Sequence, residues 1–261
     1  MKVLALSVIY FVTICNGSPT SRIAGGNVRP ISQHPYVVPL LNNLEGGSYR
    51  QLCGGTILSN NAILSAASCF FTGTSAHDAF SWRARVGSSY ANKGGLVYIV
   101  RRITTHPDFE SITKVNDIAV LRTTLNVVYG VNVQSIYLPG TNYQLPSGAP
   151  VKAVGWGVTR ANGDLSPELR EVEIWVTDQA TCASRYSELG FTITDNMLCA
   201  GWINVGIRGQ CHGDTGGPLV HNNVVVGVYS WSEGCAGNRY TGINTRVASY
   251  NRWIESVAIA P

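Results

Sequence analysis

Short apolar or alternating stretches recur along the chain with Gly, Pro or Asn between them: Gln51 to Leu58, Ala62 to Ala66, Leu96 to Ile103, Ile118 to Leu121, Val151 to Trp156, Val172 to Val176 and Val224 to Trp231. Their length and spacing predict short strands joined by turns, the signature of an all-β barrel or sandwich. Twenty-eight glycines spread along the chain supply those turns. One helical period stands out at the end. Val247, Tyr250, Trp253, Ile254 and Val257 recur at three- and four-residue steps and predict an amphipathic C-terminal helix. No low-complexity tract, short internal repeat or linker interrupts the pattern.

A chain of 261 residues, 45% hydrophobic and 13% charged, is long enough to bury a sizeable core as one large or two small domains. Its net charge of +4 comes from scattered Lys and Arg, without the dense basic run that nucleic-acid binding requires. Residues 1–17 open with Lys2, continue as an apolar stretch from Val3 to Cys15 and end near Gly17. That is the pattern of a secretory signal peptide, too short to span a membrane stably. Removal of this leader takes Cys15 with it and leaves Cys53, Cys69, Cys182, Cys199, Cys211 and Cys235, which in an oxidising compartment are expected to form three disulfides. Arithmetic alone allows about 15 connectivities for six cysteines. No Asn-x-Ser/Thr sequon falls after the leader, so N-glycosylation is not expected.

Seven segments then appear in one order: Ile23-Ala24-Gly25-Gly26, Cys53-Gly54-Gly55, Asn116-Asp117-Ile118-Ala119, Gly155-Trp156-Gly157, Cys211 through Pro218, Ser230-Trp231, and Tyr250-Asn251-Arg252-Trp253-Ile254. Together they resemble the trypsin/chymotrypsin family of serine proteases over nearly the whole chain from Ile23. The resemblance implies two six-stranded antiparallel β-barrels with a cleft between them, the pairs Cys53–Cys69, Cys182–Cys199 and Cys211–Cys235, a short activation propeptide at 18–22 and a protease-like domain from 23 to 261. Within that frame two positions depart. Leu64-Ser65-Ala66-Ala67-Ser68-Cys69 is similar to the segment that carries the catalytic histidine, with Ser68 in its place, and Gly213-Asp214-Thr215-Gly216-Gly217-Pro218 is similar to the segment of the nucleophilic serine, with Thr215 in its place. Asp117 stands where the family has its aspartate.

A hydroxyl is a poor nucleophile at neutral pH unless a neighbouring base takes its proton, and imidazole suits that task. Ser68 is neither basic nor long enough to bridge from Asp117 to position 215, and the β-branch of Thr215 restricts its χ1 and crowds its oxygen. These features point to a non-catalytic, pseudo-protease homologue of the three-disulfide type found in insects, with no metal or cofactor. It is expected to be a secreted monomer that binds a protein ligand such as a protease inhibitor or an active protease, without nucleic acid or membrane. The alternative is a weakly active serine-type endopeptidase with a neutral, chymotrypsin- or elastase-like preference for the residue before the scissile bond; a purely structural or storage role is a third. Other expectations follow from the resemblance: the backbone amides of Gly213 and Thr215 form an oxyanion hole; Arg22-Ile23 is the activation cleavage site, after which the Ile23 ammonium pairs with Asp214; and Gly209, Ser232 and Gly242 line a neutral, fairly open specificity pocket that Ser232 narrows. Asp117, buried, is expected to take its hydrogen bonds from Ser68 and Ser230. His212, on the pocket rim, and His106, in a loop, are expected to stay out of the chemistry, and His34, His77 and His221 to be solvated.

Overall fold

The structure is a computed structural model that describes residues 26–43, 46–160, 163–206, 208–235 and 237–259. The expected leader 1–17, the propeptide 18–22, Cys15, Arg22 and Ile23 lie outside the described residues.

Six strands form the first barrel: β1 (Val37–Asn42), β2 (Arg50–Ile57), β3 (Ala62–Ser65), β4 (Trp82–Val86), β5 (Leu96–Thr105) and β6 (Ala119–Thr123). They close in the order β1-β2-β3-β6-β5-β4, every pair antiparallel. Closure leaves no exposed strand edge to recruit another chain. Along β4 burial alternates, Trp82, Ala84 and Val86 inward and Arg83 and Arg85 outward, as the two-residue period of a strand requires. Inside, Trp82 and Phe70 meet edge to face with ring centroids 4.9 Å apart, an arrangement favoured by the ring quadrupoles.

The second barrel uses β7 (Pro150–Gly155), β8 (Arg170–Val176), β9 (Met197–Gly201), β10 (Pro218–His221), β11 (Val224–Trp231) and β12 (Gly242–Arg246) in the order β8-β7-β10-β11-β12-β9, with β9 returning to β8. The short strand Asn27–Val28 adds to the free side of β8. Val151, Ala153, Val172, Ile174, Leu198, Leu219 and Val226 fill its interior. The chain therefore has the all-β, two-barrel fold that its motifs imply.

Two helices decorate the barrels. α1 (Gln179–Ser187) starts at Asp178, whose carboxylate accepts from Thr181 N at 2.8 Å and so satisfies one free amide of the first turn. α2 (Asn251–Ile259) follows a 3₁₀ turn, Val247–Tyr250; the turn buries Val247 and Tyr250 and the helix buries Ile254 in the core. Cys53–Cys69 ties β2 to the 3₁₀ turn after β3, Cys182–Cys199 ties α1 to β9, and Cys211–Cys235 joins the two segments that flank β10 and β11.

Close backbone contact joins the barrels. Gly54 N on β2 donates to Thr215 O at 2.7 Å, and a Cβ at Gly54 would stand 2.8 Å from Gly217 Cα. A second tie corrects the expectation that His34 is solvated. The imidazole is 4% exposed, with Nδ1 2.9 Å from Tyr36 Oη and Nε2 2.8 Å from Glu171 on β8. Burial pushes it below the ordinary histidine range against the pull of Glu171, whose charge is already shared with Lys152 at 3.2 Å and Arg29 at 3.5 Å.

Candidate active site

Ser68 sits in the 3₁₀ turn Ala67–Phe70 that follows β3, Asp117 in the approach to β6, Thr215 in the loop before β10, and Ser230 near the end of β11. The first two belong to one barrel and the last two to the other. Docking of the barrels therefore assembles the site. Asp117 is fully buried and takes three hydrogen bonds: Ser68 N to Oδ1 at 2.7 Å, Ser68 Oγ to Oδ2 at 2.8 Å, and Ser230 Oγ to Oδ2 at 2.5 Å. Its backbone is pinned as well, since Asp117 O accepts from Thr245 Oγ1 at 2.6 Å. Asn116 reaches the left-handed region at φ 57° and its side chain accepts from Tyr250 Oη at 2.7 Å. Burial raises the Asp117 carboxyl above the usual carboxylate range, and the hydrogen bonds from Ser230 and Ser68 oppose that shift.

Ser68 turns its one proton toward Asp117. Among the described residues the Thr215 hydroxyl makes no hydrogen bond to Ser68 or to a histidine. His212 is exposed in the adjoining loop. His106 packs against Tyr250 and Trp253 at 5.3 and 5.1 Å, His77 stacks beside Trp82 and hydrogen-bonds Thr72, and His221 pairs with Tyr143. Sulfurs of Cys211 and Cys235 lie close to His212, but they are joined to each other and offer no thiolate for a metal.

Peptide planarity sets the direction of the two amides expected to form an oxyanion hole. His212 O accepts from Val158 N at 2.9 Å, so the Gly213 N–H on the other side of that peptide unit points the opposite way. Asp214 O accepts from Gly217 N at 2.7 Å, which likewise turns the Thr215 N–H away from Gly217. Neither amide has a partner among the described residues. Gly213 holds this turn at φ 89°, where a side chain would be strained, and Gln51 Nε2 steadies it from the first barrel through Gly213 O at 2.9 Å. Sequence reasoning missed Gln51, whose only signal is its place two residues before Cys53. The Asp214 carboxylate lies beneath, buried, accepting from Gly157 N at 2.8 Å and Cys211 N at 3.1 Å. Desolvation pushes it up to about 7.

The family model described as Trypsin matches residues 23–254. This chain belongs to the trypsin family. Alkaline trypsin A of Manduca sexta is 47% identical over 236 residues, 90% of each chain, and trypsin CFT-1 of Choristoneura fumiferana is 47% identical over 237 residues, 91% of each. Achelase-1 of Lonomia achelous is 46% identical over 213 residues, covering 80% of this chain and 95% of that protein. These findings overturn the expectation of a non-catalytic pseudo-protease, because the trypsin-named relatives at 46–47% identity are named as enzymes and match over nine-tenths of the chain.

At two of the three expected pocket positions the side chain of Tyr229, 3% exposed, is in contact: its ring lies against Gly242 and its hydroxyl reaches Ser232 Oγ at 2.7 Å. A tyrosine directly before the Ser230-Trp231 anchor was the signal that could have found it. Among the described residues no helix is long and apolar enough to cross a membrane.

Proposed function

We propose that the chain is a weakly active serine-type endopeptidase, secreted with removal of residues 1–17 and activated by cleavage between Arg22 and Ile23. The observation that carries this reading is the pair of unpartnered amides at Gly213 and Thr215 beside the Thr215 hydroxyl. Two preorganised donors stabilise the oxyanion that develops when a peptide carbonyl is attacked, whatever side chain sits at position 68. In this family the hole and the binding cleft alone sustain roughly 10³- to 10⁴-fold catalysis over water when triad members are absent, a magnitude established on the family's archetypes and not drawn from this chain. Thr215 Oγ1 then attacks the carbonyl carbon without a positioned imidazole and solvent takes its proton; the C–N bond breaks as solvent protonates the leaving amine, and water hydrolyses the resulting ester to restore the hydroxyl. The rate is accordingly slow. Gly209 supplies no countercharge, so the residue before the scissile bond is neutral. A protease-inhibitor loop is the protein ligand the same site would hold, since its carbonyl uses the same two amides.

The test is hydrolysis of an activated ester and of a peptide with an uncharged residue before the scissile bond, by protein cleaved after Arg22. Slow turnover that Thr215→Val abolishes is expected. Equal rates for the two proteins, at the level of buffer, would overturn the reading.

A further inference from the structure

Tyr229 lies on β11, one residue before the serine that donates to Asp117, and its side chain enters the space between three segments: 209–215, 232–235 and the start of β12. One edge of the ring rests on Gly242, where a Cβ would stand 3.2 Å from Cε2 and 3.7 Å from Cδ2. That is tighter than an ordinary contact, so glycine leaves the ring in place where a side chain would make it shift by a few tenths of an ångström. At the far end Ser232 Oγ gives its single proton to Gly234 O at 2.6 Å, so the 2.7 Å contact between Ser232 and Tyr229 has the phenol as donor. Gln210 O lies 3.5 Å from the same hydroxyl. The side chain thus spans from Gly242 to Ser232 and Gln210. Its desolvated phenol is held above the ordinary tyrosine range and stays a neutral donor, so the tie across the pocket does not open with rising pH.

The geometry points to Tyr229 as the specificity-determining residue: its ring occupies the primary pocket as a built-in side chain and restricts the residue before the scissile bond to glycine or alanine. This rests on the endopeptidase reading for its substrate, but not for the occlusion itself. A pocket already filled by an aromatic ring has no volume for a second one, whereas a residue without atoms beyond Cβ need not enter.

Indole, a surrogate for a large apolar side chain, separates the two. By calorimetry or ligand-observed NMR on the full chain cleaved after Arg22, wild type should show no indole binding at millimolar concentration. Tyr229→Val should bind it at least tenfold tighter, because an emptied apolar cavity accepts an aromatic guest. Tyr229→Phe keeps the ring and should stay closed. Tyr229→Leu, which retains more buried volume, replaces the valine variant if that one does not assemble its disulfides. Binding of indole by wild type within threefold of Tyr229→Val overturns the proposal, as does a folded valine or leucine variant that binds none. In the parallel peptide assay wild type should cut after glycine or alanine, and Tyr229→Val should gain at least tenfold in kcat/KM after leucine or phenylalanine. If neither protein turns over, the endopeptidase reading fails and the indole result still decides Tyr229.

Discussion

In the proposed reaction two hydroxyl side chains, Ser68 and Thr215, set the chemistry, and their surroundings say how much each can be improved. Ser68 is committed to Asp117 by both its amide and its hydroxyl, so Thr215→Ser alone gains little: the new nucleophile still lacks a base. Because such groups act as a unit, Ser68→His combined with Thr215→Ser should raise kcat/KM by about 10³-fold or more over either single change, measured on a peptide ending in alanine at the cut. A single variant that matched the double would show that another base serves the site. Removing the third group has a structural consequence. Asp117→Ala leaves the Ser68 amide and the Ser68 and Ser230 hydroxyls without their acceptor in a buried place, and should lower stability by about 2–4 kcal/mol in urea unfolding.

Among the strands, the contact that decides the site is the one between β2 and the loop before β10. Gly54 and Gly217 touch backbone to backbone, with Gly217 N 2.9 Å from where a Gly54 Cβ would be. Gly54→Ala should therefore push the loop carrying Thr215 off β2, lowering stability by about 1–3 kcal/mol and slowing turnover together. Gly140→Ala, which meets nothing within 4 Å, is the control and should stay within about 0.5 kcal/mol. Thermal melts of the two variants compare them directly. Strand periodicity was legible where side chains alternate or run apolar, as in β7, β8 and β11. It was not legible in β1, where Pro39 interrupts an entirely buried run, or in β12, Gly242–Arg246, which carries Asn, Thr and Arg yet buries its central three residues. α1 was missed too: its nine residues carry too few apolar positions to show a period, and only Asp178 with Thr181 three residues on announced its cap.

For the molecule as a whole, Asp214 links folding, activation and pH. Its carboxyl is raised from 3.8 to about 7 by burial, so the folded state holds the proton more tightly than the unfolded one. That contribution is fully present below pH ~3.8 and is lost as pH rises through about 7. Three pKa units at 1.36 kcal/mol each set its ceiling at roughly 4 kcal/mol. The uncleaved protein should accordingly lose stability between about pH 4 and 7, and Asp214→Asn should flatten that slope. Cleavage after Arg22 creates the ammonium proposed to pair with Asp214, which would reverse the shift. The melting-temperature difference between cleaved and uncleaved protein is therefore expected to grow from pH 4 to pH 8; a constant difference would mean that Ile23 does not reach Asp214.

Strand-length apolar runs in the sequence by themselves determined an all-β fold with a C-terminal helix, and the ordered motifs, through their resemblance to the trypsin/chymotrypsin family, implied the two barrels and the three disulfide pairs that the structure has, because both are local features of the chain. Only the tertiary structure decided what fills and what faces the cleft. Tyr229 and Gly242 are thirteen residues apart in the chain, His34 and Glu171 lie in different barrels, and Gln51 steadies Gly213 across the joint between them. Each of those contacts is set by how two closed sheets dock, and local periodicity carries no record of a distance between residues far apart in the chain.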